Sequence, residues 1–216
     1  MKQIKLSENV RVSDPCYTDD VWCKTQLKSV LPGLYNWDVS RSDNGDWGNR
    51  VSGITLVHEN YEDDGSLEWQ YHSDIGVDSG QAGIFCESSY RNDEVATGIT
   101  TPPLDKPFVL PYNDKGGDMW YEKMCRFTLS SDSFGAYDTG IVTSSGLGDG
   151  SYPLYVVYDE DDKIVAMKID YLLDDEDEED EDGGICGECG GDLDSDGTCE
   201  YCTHEAQEAE ESLTQN

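Results

Sequence analysis

Apolar and polar residues alternate with a period of two in a series of short segments within residues 1–173, the pattern of strands that bury one face. Gln3–Leu6 and Val10–Ser13 alternate on either side of Ser7-Glu8-Asn9, which predicts an opening hairpin. Leu34–Ser40 follows Pro32-Gly33, and Arg50–Glu59 has the β-branched content of a longer strand. Leu67–His72, Ala82–Cys86, Arg126–Leu129, Gly140–Ser144, Leu154–Tyr158 and Lys163–Tyr171 complete the predicted strands. The last two flank Asp159-Glu160-Asp161-Asp162, a hairpin turn. Helical spacing is confined to Val21–Ser29 and Met119–Cys125, and Pro102, Pro103, Pro107 and Pro111 mark an irregular crossing. Many short strands with few short helices predict a mainly β domain over 1–173, either an antiparallel sandwich or a partly closed barrel.

The alternation stops at Asp174–Asp182, nine consecutive acids. Like charges at every position repel, and no apolar group offsets the entropy of ordering, so 174–184 reads as a disordered acidic linker. Beyond it stands C-G-E-C-G-G-D-L-D-S-D-G-T-C-E-Y-C, with Cys186, Cys189, Cys199 and Cys202 as two C-x-x-C pairs nine residues apart. Each pair lets two thiolates of one tight turn point at one ion. Two facing turns supply the tetrahedral sulfur shell that Zn²⁺ prefers. All four positions are then filled by protein, so the metal holds a fold and does no chemistry. The expectation is a structural zinc ribbon over 185–203; a redox dithiol or a pair of disulfides is the alternative. Asp192–Gly197 opens like a calcium loop, but the twelfth position is Thr203 where a glutamate is needed. The remaining 204–216 is a polar, flexible tail.

Charge narrows the list of partners. The net charge is −33, and from Asp174 onward there are 18 acids and no lysine or arginine. Residues 1–173 still hold 29 acids against 14 bases. Phosphate contacts need clustered Lys and Arg, so direct nucleic-acid binding is excluded, and an anionic membrane surface is disfavoured for the same reason. No run of about 18 apolar residues exists to span a bilayer, and the first residues carry no apolar signal core. Eight cysteines, four of them at metal spacing, point to a reducing interior, the cytoplasm.

Candidate chemistry in the body is sparse. Ser144–Pro153 (S-S-G-L-G-D-G-S-Y-P) has the glycines of an anion loop, but its glycine spacing is not that of a dinucleotide fold. The following Tyr152–Val157 reads as strand, and no lysine follows. It is either a tight Asp149-Gly150 turn or a loop that lines a ligand with Asp149, Ser151 and Tyr152. Asp78, in V-D-S-G-Q-A-G, sits in a second glycine-flanked turn; if it meets Asp149, two carboxylates can act as acid and base or hold a hard cation. These four, Asp78, Asp149, Ser151 and Tyr152, are the candidate ligand-binding residues. Nucleophilic catalysis finds little support, because only His58 and His72 lie in the body and no G-x-S-x-G is present. Cys16 and Cys23 have no base in view; Cys86 and Cys125 read as core.

Several landmarks fall in a familiar order: Asp14-Pro15, Pro32-Gly33, Arg50-Val51, Val77-Asp78-Ser79-Gly80-Gln81-Ala82-Gly83 and Gly148-Asp149-Gly150-Ser151-Tyr152-Pro153. Over roughly residues 10–171 they resemble a family of bacterial and phage proteins described only as a domain of unknown function. The chain differs from the family in its Asp14-Pro15-Cys16 opening, in the variants Ser79 and Gln81 after Val77-Asp78, and in the added cysteine module, similar to the zinc ribbons at the ends of many bacterial proteins. The resemblance implies a bacterial or phage-encoded protein, hence a host cytoplasm in the second case. It supplies no activity. Residue chemistry then favours a non-enzymatic interaction module for a protein partner with a basic face. The alternatives are a hydrolase-like enzyme using Asp78 and Asp149, and an acidic mimic of nucleic acid that inhibits a host protein.

Overall fold

The computed structural model describes residues 2–18, 21, 24–104, 106–108, 116–171 and 199. The chain divides into two units, Met1–Leu172 and Leu173–Asn216, and all described residues but Cys199 belong to the first. The acidic linker, the ribbon cysteines Cys186, Cys189 and Cys202, and the polar tail lie outside the described residues, as do Trp22 and Cys23.

The first unit is mainly β. Its strands are β1 (Gln3–Leu6), β2 (Val10–Ser13), β3 (Thr25–Leu27), β4 (Gly33–Asp43), β5 (Asn49–His58) and β6 (Gln70–Val77). They continue with β7 (Gln81–Cys86), β8 (Phe134–Tyr137), β9 (Gly140–Ser144), β10 (Gly150–Tyr158) and β11 (Ile164–Asp170). Helices α1 (Asp93–Ala96) and α2 (Asp118–Thr128) fall between β7 and β8. One sheet has the order β1-β4-β5-β11-β10-β6 and the other β3-β2-β7-β9-β8, with every ladder antiparallel and no closed barrel. Ile4, Ile54, Leu56, Ile75 and Leu154 of the first sheet share one core with Val12, Leu27, Ile84 and Ile141 of the second.

Three local expectations are corrected. The opening strands are no hairpin: β1 joins the first sheet and β2 the second, so Ser7-Glu8-Asn9 crosses between layers. Val21–Ser29, expected as helix, contains β3, whose Leu27 is buried in the shared core. Arg126–Leu129 is no strand. It continues α2, because Trp120, Met124 and Phe127 recur at helical spacing and bury one face against Phe85 and Val142 on the back of the second sheet. That sheet is covered on both sides, which is why every residue of β7 is buried and its alternation is invisible in sequence. Gly135 on β8 makes room for α2: a Cβ there would fall 1.9 Å from the Phe127 ring.

Helix α2 is preceded by Gly117, which cannot cap it with a side chain. Asp93 of α1 replaces it, its carboxylate accepting from the N–H groups of Gly117 at 2.9 Å and Trp120 at 3.0 Å. Among the described residues no helix is long and apolar enough to cross a membrane.

Candidate functional site

Asp14 is the buried hub of the body. One carboxylate oxygen accepts from the backbone N–H of Asp78 at 2.9 Å and of Ser79 at 2.7 Å. The other accepts from the Ser79 hydroxyl at 2.7 Å and from the N–H of Cys16 at 2.8 Å. The Asp14-Pro15 landmark therefore holds the Asp78-Ser79-Gly80 turn, and Asp14 has no exposed surface of its own. Ser79 passes the restraint on: the Gln81 amide donates to its hydroxyl at 3.2 Å and accepts from Thr128 of α2 at 3.0 Å. Tyr90 adds a further tie, donating to the carbonyls of Asp14 and Tyr17 at 3.0 and 2.8 Å.

The held turn sits at the end of the β6–β10 ladder. Val77 pairs with Gly150, Gly76 with Ser151 and Asp74 with Pro153. Strand alternation sends Ile75 and Tyr152 into the shared core and places Asp74, Gly76 and Ser151 on the outer face. Asp78 and Asp149 each lie one residue beyond that terminal Val77–Gly150 pair. Together Tyr17, Asp74, Gly76, Val77, Asp78, Asp149, Gly150 and Ser151 line one open cleft of about 550 Å³. Three of its side chains are carboxylates and none is a base.

Of the four candidates, Asp78, Asp149 and Ser151 meet at this cleft. Tyr152 is elsewhere. Its ring stands edge-on to Tyr171 at 5.2 Å in the core, and its hydroxyl donates to the carbonyls of Ser145 and Gly148 at 3.0 and 2.8 Å. It ties down the glycine loop from beneath, and the Ser145 hydroxyl, donating to the Gly148 carbonyl at 2.7 Å, ties it from within. Gly146 and Gly148 take the positive φ this loop requires, 61° and 117°. Asp74 and Tyr17 escaped the sequence reading. The signal for Asp74 was present: it lies four residues before Asp78, on the same face of an extended strand.

The described thiols and imidazoles do not supply a nucleophile to this cleft. Burial pushes the Cys16 thiol far above its ordinary range, with the Asp14 carboxylate adding to the rise. Cys125 is raised by burial, and Cys86 is buried in the core. Thiols raised in this way, as Cys16 and Cys125 are, make poor nucleophiles at neutral pH. His58 is buried edge-on to Tyr35 at 5.2 Å, and His72 is exposed beside Tyr158. Among the described residues no group of three or more His, Cys, Asp or Glu is placed to hold a metal ion.

A family model described as a protein of unknown function (DUF4241) matches residues 55–169, just over half of the chain. The chain belongs to the DUF4241 family. The DUF4241 segment holds both β6 and β10, so it contributes every cleft residue except Tyr17. Asp14, which fixes the Asp78 turn, lies upstream of the matched DUF4241 residues. No curated protein and no solved structure matches the chain.

Proposed function

We propose that the protein is a non-enzymatic interaction module whose cleft receives a lysine or arginine side chain of a protein partner. The observation that carries this reading is the lining: Asp74, Asp78 and Asp149 face one rigidly held recess with Tyr17 and Ser151. A partly enclosed set of like charges strengthens the pull on an incoming cation and steers its approach. The acidic body supports it further, with 29 acids against 14 bases over residues 1–173.

The test is titration with a capped Lys-Thr-Lys-Thr-Lys peptide at low salt. Neutralising the cleft as Asp78→Asn with Asp149→Asn is expected to weaken binding about tenfold while leaving the urea midpoint within error. Equal binding by the double variant would remove the proposal. A hydrolase-like reading is supported by the same meeting of Asp78 and Asp149, since two carboxylates at one recess can divide the work of acid and base. Cleavage of a nitrophenyl ester or glycoside by the wild type, lost in the double variant while peptide binding persists, would favour the enzyme.

For the second unit we propose a structural zinc ribbon in a protein of the reducing cytoplasm. Four thiolates in two C-x-x-C pairs fit the ion's softness and coordination number. Cys199, the one ligand among the described residues, is buried at 6% exposure. Zinc would draw the folding energy of this short segment from its four sulfur bonds. Cys189→Ser is expected to abolish stoichiometric zinc in elemental analysis and expose the remaining thiols to alkylation, with the melting of the body unchanged. Retention of one zinc per chain in that variant would rule the site out.

A further inference from the structure

Four strands form the edges of the two sheets: β1, β3, β8 and β6. Three are short, at four, three and four residues, which is how sheet proteins keep edges from pairing with other chains. The fourth, β6, is eight residues long and contains neither lysine nor proline. Its backbone bonds run to β10, and among the described residues no backbone group of Gln70–Val77 bonds to another backbone group outside that ladder. Midway along, the Ser73 hydroxyl meets Thr25 of β3 at 2.8 Å, which braces the strand through side chains. Gln70, Tyr71 and His72, before this brace, are all exposed, Tyr71 at 61%.

We propose that Gln70–His72 is a docking edge to which an extended, lysine- or arginine-bearing segment of a protein partner adds as a further strand. Unpaired N–H and C=O groups of an edge are satisfied by another extended backbone, which names the partner's conformation. Charge names its composition. The outer face beside this edge leads past a register slip at His72 to Asp74 and on toward Asp78, so a basic side chain of an added strand that runs on beyond His72 approaches these carboxylates. Lys168 on the same face is already engaged: it stacks over Tyr155 at 5.0 Å and Trp69 at 5.6 Å and lies 3.6 Å from Asp170. Tyr71, edge-on to Tyr155 at 6.2 Å, extends that aromatic strip to the edge and offers a ring to the aliphatic stem of an incoming lysine. A second copy of this chain is the poorer occupant, because it carries the same excess of acids, 29 against 14 bases over residues 1–173, and like charges oppose the pairing.

The inference rests on the cleft reading and adds backbone pairing to it, and one substitution in the probe separates the two. The Lys-Thr-Lys-Thr-Lys peptide is compared with its analogue N-methylated at alternate residues, which keeps every charge but deletes N–H donors on one side. Binding about tenfold weaker for the analogue is expected, from the loss of one or two hydrogen bonds. Amide exchange at Gln70–His72 should slow only with the unmethylated peptide. Equal binding of both peptides overturns strand addition and leaves the cleft reading standing. Failure of both to bind overturns the two together. A concentration-dependent dimer that protects the same amides without peptide would assign the edge to a second copy and also overturn the inference.

Discussion

Asp14→Ala is expected to lower stability by roughly 3 to 5 kcal/mol, more than any other polar substitution in the body. The cost comes from what remains behind. Deleting the carboxylate, which itself has no exposed surface, strips partners from the N–H groups of Cys16, Asp78 and Ser79 and from the Ser79 hydroxyl. Asp14→Asn keeps the shape and still fails in part. Each oxygen of the carboxylate takes two donors, so an amide points its own N–H groups at those of Asp78 and Ser79 in one orientation and at that of Cys16 in the other. Urea unfolding should rank wild type above Asn and Asn above Ala. The Asp78 turn would loosen, and peptide binding at the cleft should fall alongside stability. A loss below about 1 kcal/mol for the alanine variant would mean that the hub is not what holds the turn.

Trp120→Ala is expected to cost about 3 to 5 kcal/mol by a different route. Trp120 is fully buried between α2 and the second sheet, at 5.1 Å from the Phe85 ring and 4.9 Å from that of Tyr90. Its indole N–H donates to the Tyr137 hydroxyl at 3.1 Å. Truncation therefore leaves a large cavity and takes one partner from the half-buried Tyr137 hydroxyl, which still meets Ser89 at 3.4 Å and whose titration burial already pushes upward. Trp120→Phe separates the two effects, since it keeps most of the ring contact and loses only the donor; a penalty nearer 1 to 2 kcal/mol is expected. Equal losses for both variants would place the energy in the hydrogen bond and not in the packing.

Much of the sandwich was legible because one face of most strands meets the core and the other meets water. β1, β2 and β9 have the boundaries that the alternation predicts. Where a second layer covers the outer face, the code fails. β8 reads F-G-A-Y, and the glycine that breaks its pattern is there because the Phe127 ring lies against it. The four-residue window Arg126–Leu129 looked extended because its length hid the longer spacing of Trp120, Met124 and Phe127. Leu67 and Trp69, expected within a strand, precede β6 and pack on the cluster around Val57, Val157 and Val165. The site was legible as parts. Asp78, Asp149 and Ser151 each stood out beside a glycine, but their meeting depends on pairing β6 with a strand three strands and two helices further along the chain. Tyr152 was singled out with them, and period-two alternation turns it to the opposite face.

The strand order of the first sheet has a consequence for biosynthesis. β11 and β10 are translated last, yet they occupy the middle, with β1-β4-β5 on one flank and β6 on the other. While the ribosome is still short of Gly150, those flanks share no neighbour, and half of the recess wall does not exist. Contacts between strands so distant along the polypeptide are slow to form. A nascent chain must therefore keep its early apolar strands from wrong pairings until the final hairpin emerges and inserts between them.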